Sequence, residues 1–197
     1  MKDWKVTLTL LEPILGTCSA NPELYEEFIA SRNPAGADGA EVESLPVQDL
    51  IDKGTTVFHR LPDGRPCVYD YVFKGFCKDA CGMLRRAKDT KSTKLKAYKK
   101  EIDGLIFVTP RMIPIVLPDG GEMGISTRPL RAQTAQGERV SLARSETCPA
   151  GSTLTFDVTL LSETLAPLVE EWLTYGKLRG LGQWRNAGFG RFEYTME

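Results

Sequence analysis

The densest concentration of residues able to do chemistry is the run Gly180-Leu181-Gly182-Gln183-Trp184-Arg185-Asn186-Ala187-Gly188-Phe189-Gly190-Arg191-Phe192. Its four glycines, Gly180, Gly182, Gly188 and Gly190, remove β-carbons where a backbone must adopt positive φ or approach another chain closely. Trp184 and Phe189 supply stacking faces, and Arg185 and Arg191 supply charge. The backbone amides of such a turn can cradle phosphates. The pattern is not a dinucleotide fingerprint, because it precedes a strand instead of following one and opening a helix. A structural hinge with Trp184 and Phe189 in the core satisfies the same residues, and glycine content does not choose between the two.

Other reactive side chains are sparse. Cys18, Cys67, Cys77, Cys81 and Cys148 form an odd set without a CxxC pair, which does not suit a secreted disulfide framework and leaves free thiols as the expectation. Cys77 and Cys81 would share a helix face, but no second ligand pair accompanies them, so no metal and no cofactor is expected. His59 is the only histidine and has no evident partner for general-base work. The net charge of −1 excludes a global basic field. Two local basic sets remain. One holds Arg85, Arg86, Lys88, Lys91, Lys94, Lys96, Lys99 and Lys100, opposed by Asp89 alone; the other holds Arg128, Arg131, Arg139 and Arg144. The lysine run by itself reads as a solvated helix face; the two sets together point toward a polyanion.

The elements that must position these residues follow from periodicity. Trp4, Val6, Leu8 and Leu10 alternate with polar residues, which predicts a half-buried strand continuing toward Ile14. Asn21-Pro22 starts a helix carrying Leu24, Tyr25, Phe28 and Ile29. Residues 33–56 read as a mobile loop, with a short helix over Pro46–Lys53 stopped by Gly54. Residues 57–71 form a hairpin about Pro62-Asp63-Gly64, and 73–84 a helix with Phe76, Ala80 and Met83 or Leu84 on one face. Residues 102–108 and 112–117 read as strands, as do 154–160 and 189–194, and a helix from 162 or 163 to 175 is closed by Gly176. The expectation is one α+β domain of 197 residues, with a mainly antiparallel sheet, helices on one face in the ferredoxin-like manner, and an arm-like insertion near 110–148. Residues 1–15 lack a signal peptide's apolar core and no run approaches a membrane span, so the protein is expected in the cytoplasm with no membrane partner.

The glycine-rich run, placed between a helix and the last strand, resembles the glycine-rich loop of the RAMP superfamily, the ferredoxin-like (RRM-like) proteins that form backbones and guide-processing subunits of CRISPR effectors. Residues 72–85, Val-Phe-Lys-Gly-Phe-Cys-Lys-Asp-Ala-Cys-Gly-Met-Leu-Arg, resemble the family's strand-to-helix stretch with its lysine-bearing helix and arginine. Residues 128–160, with Arg139-Val140-Ser141-Leu142-Ala143-Arg144 and then Pro149-Ala150-Gly151-Ser152 before a strand, resemble the arm and following strand of the backbone branch. The chain is also similar to small proteins carried by bacteriophages, a resemblance that brings no activity with it.

The RAMP resemblance implies binding of single-stranded RNA or DNA, RNA before DNA, along a basic face, with homo-oligomer or filament assembly. Its implied contacts are Lys74, Lys78, Arg85, Arg86, Arg128, Arg131, Arg139 and Arg144 for phosphates, and Trp184 with Arg185 at the loop. The family's nucleases use a loop aspartate or a histidine with partners. Here residues 16–22 contain no acid, so no catalytic role is carried over. Two alternatives stand beside this reading: a phage-type module that interferes with or joins a host protein complex, and a metal-independent ribonuclease using His59.

Overall fold

A computed structural model describes residues 1–20, 55–134 and 137–197, with the backbone alone for residues 130–134 and 137–141. The helix expected from Asn21, residues 33–54 of the loop expected over 33–56 and the helix over Pro46–Lys53 lie outside the described residues, and Thr56, at the end of that expected loop, is in a strand.

Strand β1 (Lys2–Leu10) buries Trp4, Val6, Leu8 and Leu10 on one face, as its alternation requires. It pairs antiparallel with β11 (Thr153–Leu160) from Lys2↔Leu160 to Thr9↔Thr153, and on its other side with β12 (Phe192–Met196). Strand β7 (Ile106–Thr109) adds to β11, so the spatial order is β12-β1-β11-β7, antiparallel throughout. Helices α1 (Asp70–Leu84) and α3 (Ala166–Arg179) pack together over the buried face. Phe73 meets Phe156 at 4.7 Å and Phe76 meets Phe192 at 5.2 Å between ring centroids, which ties the helix layer to the sheet. The opposite face carries Lys5, Thr7, Thr155, Asp157, Glu193 and Thr195.

A second sheet joins β2 (Ile14–Leu15), β3 (Cys18–Ser19), β4 (Thr56–Val57), β9 (Gly124–Thr134) and β10 (Gly137–Cys148); β9 and β10 form a long hairpin. A third holds β5 (His59–Arg60), β6 (Pro66–Tyr69) and β8 (Met112–Pro114). The turn between β5 and β6 closes where Asp63 accepts from the Arg65 amide at 3.1 Å.

Several boundaries differ from the sequence reading. Ile102 belongs to helix α2 (Tyr98–Leu105), not to a strand: Ile102 is buried amid Lys99, Lys100, Glu101 and Asp103, and strand alternation begins only at Ile106. The second of these strands is shorter than 112–117, ending at Pro114. The first strand stops at Leu10, and Ile14 joins the second sheet. Gly176 does not end a helix; it lies inside α3 because the Phe192 ring fills the space, and a β-carbon there would come within 2.2 Å of that ring. Residues 189–191 belong to the preceding loop, and the last strand starts at Phe192. The lysine run is a turn with a 3-10 segment over Lys91–Lys94, and only its last residues enter α2. Glu171 of α3 anchors it, accepting from the amides of Lys91 and Ser92 at 2.7 and 3.0 Å and from the Ser92 hydroxyl at 2.5 Å.

Candidate nucleic-acid interface

The glycine-rich loop divides into a closed neck and an open head. Gly180 ends α3 at φ 77°, after which Leu181 turns into the core. The Leu181 amide donates to the Gly190 carbonyl at 2.8 Å, and the Gly190 amide donates to Pro13 at 2.9 Å. The two arms press so closely that a β-carbon at Gly190 would lie 2.1 Å from the Leu181 oxygen. The amides of Gly180 and Gly188 donate to Gly176 and Arg185. Three of the four glycine amides therefore serve the chain's own carbonyls, and a phosphate cradle built from them is not what the neck provides.

The head carries the polar and aromatic groups. Gln183 donates from Nε2 to the Gly16 carbonyl at 2.5 Å, which orients the turn. Trp184 takes a left-handed conformation at φ 54°, uncommon for a bulky residue, and is 36% exposed. Neither a core tryptophan nor a free platform, it has one side occupied: the Arg128 guanidinium carbon lies 4.3 Å from its ring centroid. Phe189 stands edge-on to the indole at 6.5 Å. Arg128 reaches this place because β9 and β10 put it on the same face as Ser145, whose hydroxyl accepts from Nη2 at 3.0 Å. Arg128 is 8% exposed, and its Nε and Nη1 have no hydrogen-bond acceptor among the described residues. Burial pulls its pKa below the ordinary arginine range.

Beside the indole is a cleft of about 350 Å³ lined by Arg179, Gly182, Gln183, Trp184, Arg185 and Asn186. Asp79 of α1 organises its floor. It accepts from Arg179 Nε at 2.7 Å and Nη2 at 3.3 Å, and lies 3.4 Å from Arg185 Nη1. Arg179 also donates to the Asn186 side chain. Two guanidinium groups thus share one carboxylate, leaving the cleft with excess positive charge, and its two carboxamides and indole suit a planar, hydrogen-bonding, anionic ligand.

The structure brings together three of the sequence-derived candidates, Arg128, Trp184 and Arg185, with the neck glycines behind them. It places others elsewhere. Lys78 pairs with Asp103 at 2.5 Å, and Lys74 lies 5.0 Å over the Phe107 ring, on the side of α1 that faces α2 and β7. Arg85 lies over Tyr98 at 5.2 Å, and Arg86 is exposed beyond the end of α1. Arg144 is opposite Thr127 in the hairpin, and Arg131 and Arg139 lie on its strands, with side chains outside the described residues. Arg179 and Asp79 escaped the sequence reading because their pairing spans 100 residues. His59 stands edge-on to Tyr69 at 4.6 Å, and burial lowers its pKa. Among the described residues no helix is long and apolar enough to cross a membrane.

No family model and no curated protein matches the chain. Solved structures do. A chain of the type III-B Cmr-beta complex bound to cognate target RNA superposes with a TM-score of 0.52 at 13% identity, covering 99% of this chain and 59% of that one. This protein therefore spans about three-fifths of that neighbour's length. A chain of a type IV-B CRISPR complex superposes with a TM-score of 0.51 at 14% identity, covering 100% of this chain and 90% of that one. The shared fold is α+β.

Proposed function

We propose that this chain is a non-catalytic, RAMP-like protein that binds single-stranded nucleic acid, RNA in preference to DNA, at the head of the glycine-rich loop. The observation that carries this reading is the Trp184 indole, backed on one side by the buried Arg128 cation and set beside a cleft with Arg179 and Arg185. A cation behind an aromatic ring and arginines beside it serve base stacking and phosphate contact at once. The fold supports the reading by likeness to a chain from a complex bound to cognate target RNA.

Within this proposal the core is ferredoxin-like: β1, α1, β7, β11, α3 and β12 run β-α-β-β-α-β, in the spatial order fourth, first, third, second. The β9–β10 hairpin is the arm, and it carries Arg128, Arg131, Arg139 and Arg144 in its sequence. Head-to-tail assembly with further copies, or a place in a larger protein complex, belongs to the same proposal. A second reading, a protein-interaction module, draws on the net charge of −1 and on Leu178, 73% exposed beside a groove with Tyr175 and Tyr194.

Anisotropy titration of a labelled mixed-sequence single-stranded RNA and its DNA equivalent, at low and moderate salt, separates the two. Binding that weakens with salt and in Trp184→Ala and Arg139→Ala variants supports the nucleic-acid reading, since phosphate contacts release counterions. Absence of binding to either oligonucleotide rejects it in favour of the protein partner.

A further inference from the structure

The lysine-bearing turn between α1 and α2 is held by its own backbone bonds. The Thr90 hydroxyl donates to the Leu84 carbonyl at 2.8 Å and the Thr93 hydroxyl to the Thr90 carbonyl at 2.6 Å, while Glu171 holds the Lys91 and Ser92 amides. None of these bonds uses a lysine side chain. Lys91 and Lys94 stand at i and i+3 of the 3-10 segment, a spacing that puts both on one side. Lys88, Lys96, Lys99 and Lys100 are exposed around them. None of these lysines makes an ion pair among the described residues. Glu171 is committed to the amides, and the neighbouring Asp89, Glu101 and Glu170 pair with none of the lysines.

Lys91 and Lys94 also line a hollow of about 290 Å³ at the start of α3, together with Leu95, Thr164, Leu165, Pro167 and Leu168. Leu165 and Leu168 belong to the core and give the hollow an apolar floor. Its lining holds no acidic and no aromatic side chain. That composition chooses between two polyanions. A nucleobase needs a ring or a guanidinium plane to stack on, and aliphatic walls beside compact ammonium charges supply neither. An acidic peptide with an apolar side chain satisfies both halves of the site: the side chain leaves water in the hollow, and flanking carboxylates meet the lysines. Because the turn is fixed before binding, less ordering is lost when a partner arrives.

We infer that the hollow between the lysine-bearing turn and the start of α3 is a docking site for an acidic segment of a partner protein. One leucine-sized side chain enters the hollow, and carboxylates on either side of it meet Lys91 and Lys94. The site lies at the opposite end of α3 from Arg179 and the loop-head cleft. At about 1.5 Å per residue, the 14-residue helix keeps the two roughly 20 Å apart. The docking site therefore stands or falls independently of RNA binding, and one molecule has room for a strand and a partner together.

The test is anisotropy titration of the full chain with labelled peptides that carry Glu-Asp on either side of a central Leu, Ile, Met or Phe. The controls are the same peptide with a central Ser, and the apolar peptides with their acids replaced by Gln and Asn. An apolar version should bind roughly 10- to 100-fold more tightly than the Ser version, the range for burying one such side chain. Lys91→Gln combined with Lys94→Gln should erase the preference for acids over amides. Thr164→Trp, which fills the hollow from its exposed rim, should erase the preference for the apolar centre. All three substituted side chains are exposed, and circular dichroism checks that the fold is kept. Trp184→Ala, which strikes the RNA cleft, should bind the peptides as wild type does. If no apolar version binds more tightly than the Ser version, the hollow takes no side chain and the inference is overturned. If the paired lysine variant loses affinity for labelled single-stranded RNA and keeps it for the peptides, the turn is a phosphate contact and the inference is likewise overturned.

Discussion

The guanidinium of Arg128 lies over the indole of Trp184, 4.3 Å from ring centroid to Cζ, while two of its N–H-bearing nitrogens lack acceptors among the described residues. A buried cation held mainly by aromatic faces contributes little net stability, because desolvation offsets the attraction. Arg128→Met should therefore change stability by no more than about 1 kcal/mol in chemical denaturation. The same variant should bind single-stranded RNA more weakly. Clear destabilisation together with wild-type affinity would make Arg128 a structural residue.

Trp184→Ala removes a partly exposed ring and its cation contact. The expected loss of stability is about 1–2 kcal/mol, well below the roughly 3–5 kcal/mol of a core tryptophan. RNA affinity should fall far more than stability does, which parallel titrations and urea melts on one preparation would show.

At the neck, Gly190→Ala would force a β-carbon to within 2.1 Å of the Leu181 oxygen at a φ of 69°. Both the contact and the conformation oppose it, so a loss of about 1–3 kcal/mol or more is expected, read as a lowered melting temperature. Gly188→Ala keeps the strained φ of 89° but meets only the Arg191 Nε at 3.8 Å, and it should cost less.

The lysine-bearing turn depends on Ser92, whose buried hydroxyl accepts from Trp172 Nε1 at 2.9 Å and donates to Glu171 at 2.5 Å. Ser92→Ala strands the indole N–H in the core and should destabilise the protein by about 1–3 kcal/mol. Hydrogen exchange should speed up at the amides of residues 91 and 92, which lose part of the network that holds their acceptor in place.

Thiol chemistry gives an independent check of packing. Burial pushes the Cys148 thiol up to about 12 and raises Cys77 further, while Cys67 and Cys81 are raised by the same cause. In the native protein these four should resist alkylation at neutral pH, and the partly exposed Cys18 should react first. Mass spectrometry after brief iodoacetamide treatment reads the order directly.

The sign of the His59 titration follows from its environment. Burial lowers its folded-state pKa below 6.5, so below that pH the unfolded chain binds more protons. Its contribution should then reduce stability as the pH falls through 6.5 toward the folded value, and leave it unchanged above. Urea melts of wild type and His59→Phe across that window should diverge on the acid side only.

Local periodicity carried the elements. The alternation of Trp4, Val6, Leu8 and Leu10 and of Leu154, Phe156, Val158 and Leu160 marks β1 and β11, and the helical spacing of Leu168, Val169, Trp172 and Leu173 marks α3. These signals are legible because each depends only on how a strand or helix turns its neighbouring side chains. Where the signal was short it misled: Ile102 is apolar and follows no strand period, and Gly176 has the composition of a helix stop but the packing of a helix interior. The identities of Trp184, Arg128 and Arg185 were also readable as groups that stack or carry charge. What they face was not. That Asp79 holds Arg179 and Arg185 and that Arg128 backs Trp184 follow from which strands and helices become neighbours. Sheet order brings together residues far apart in the chain, and no local pattern records that choice.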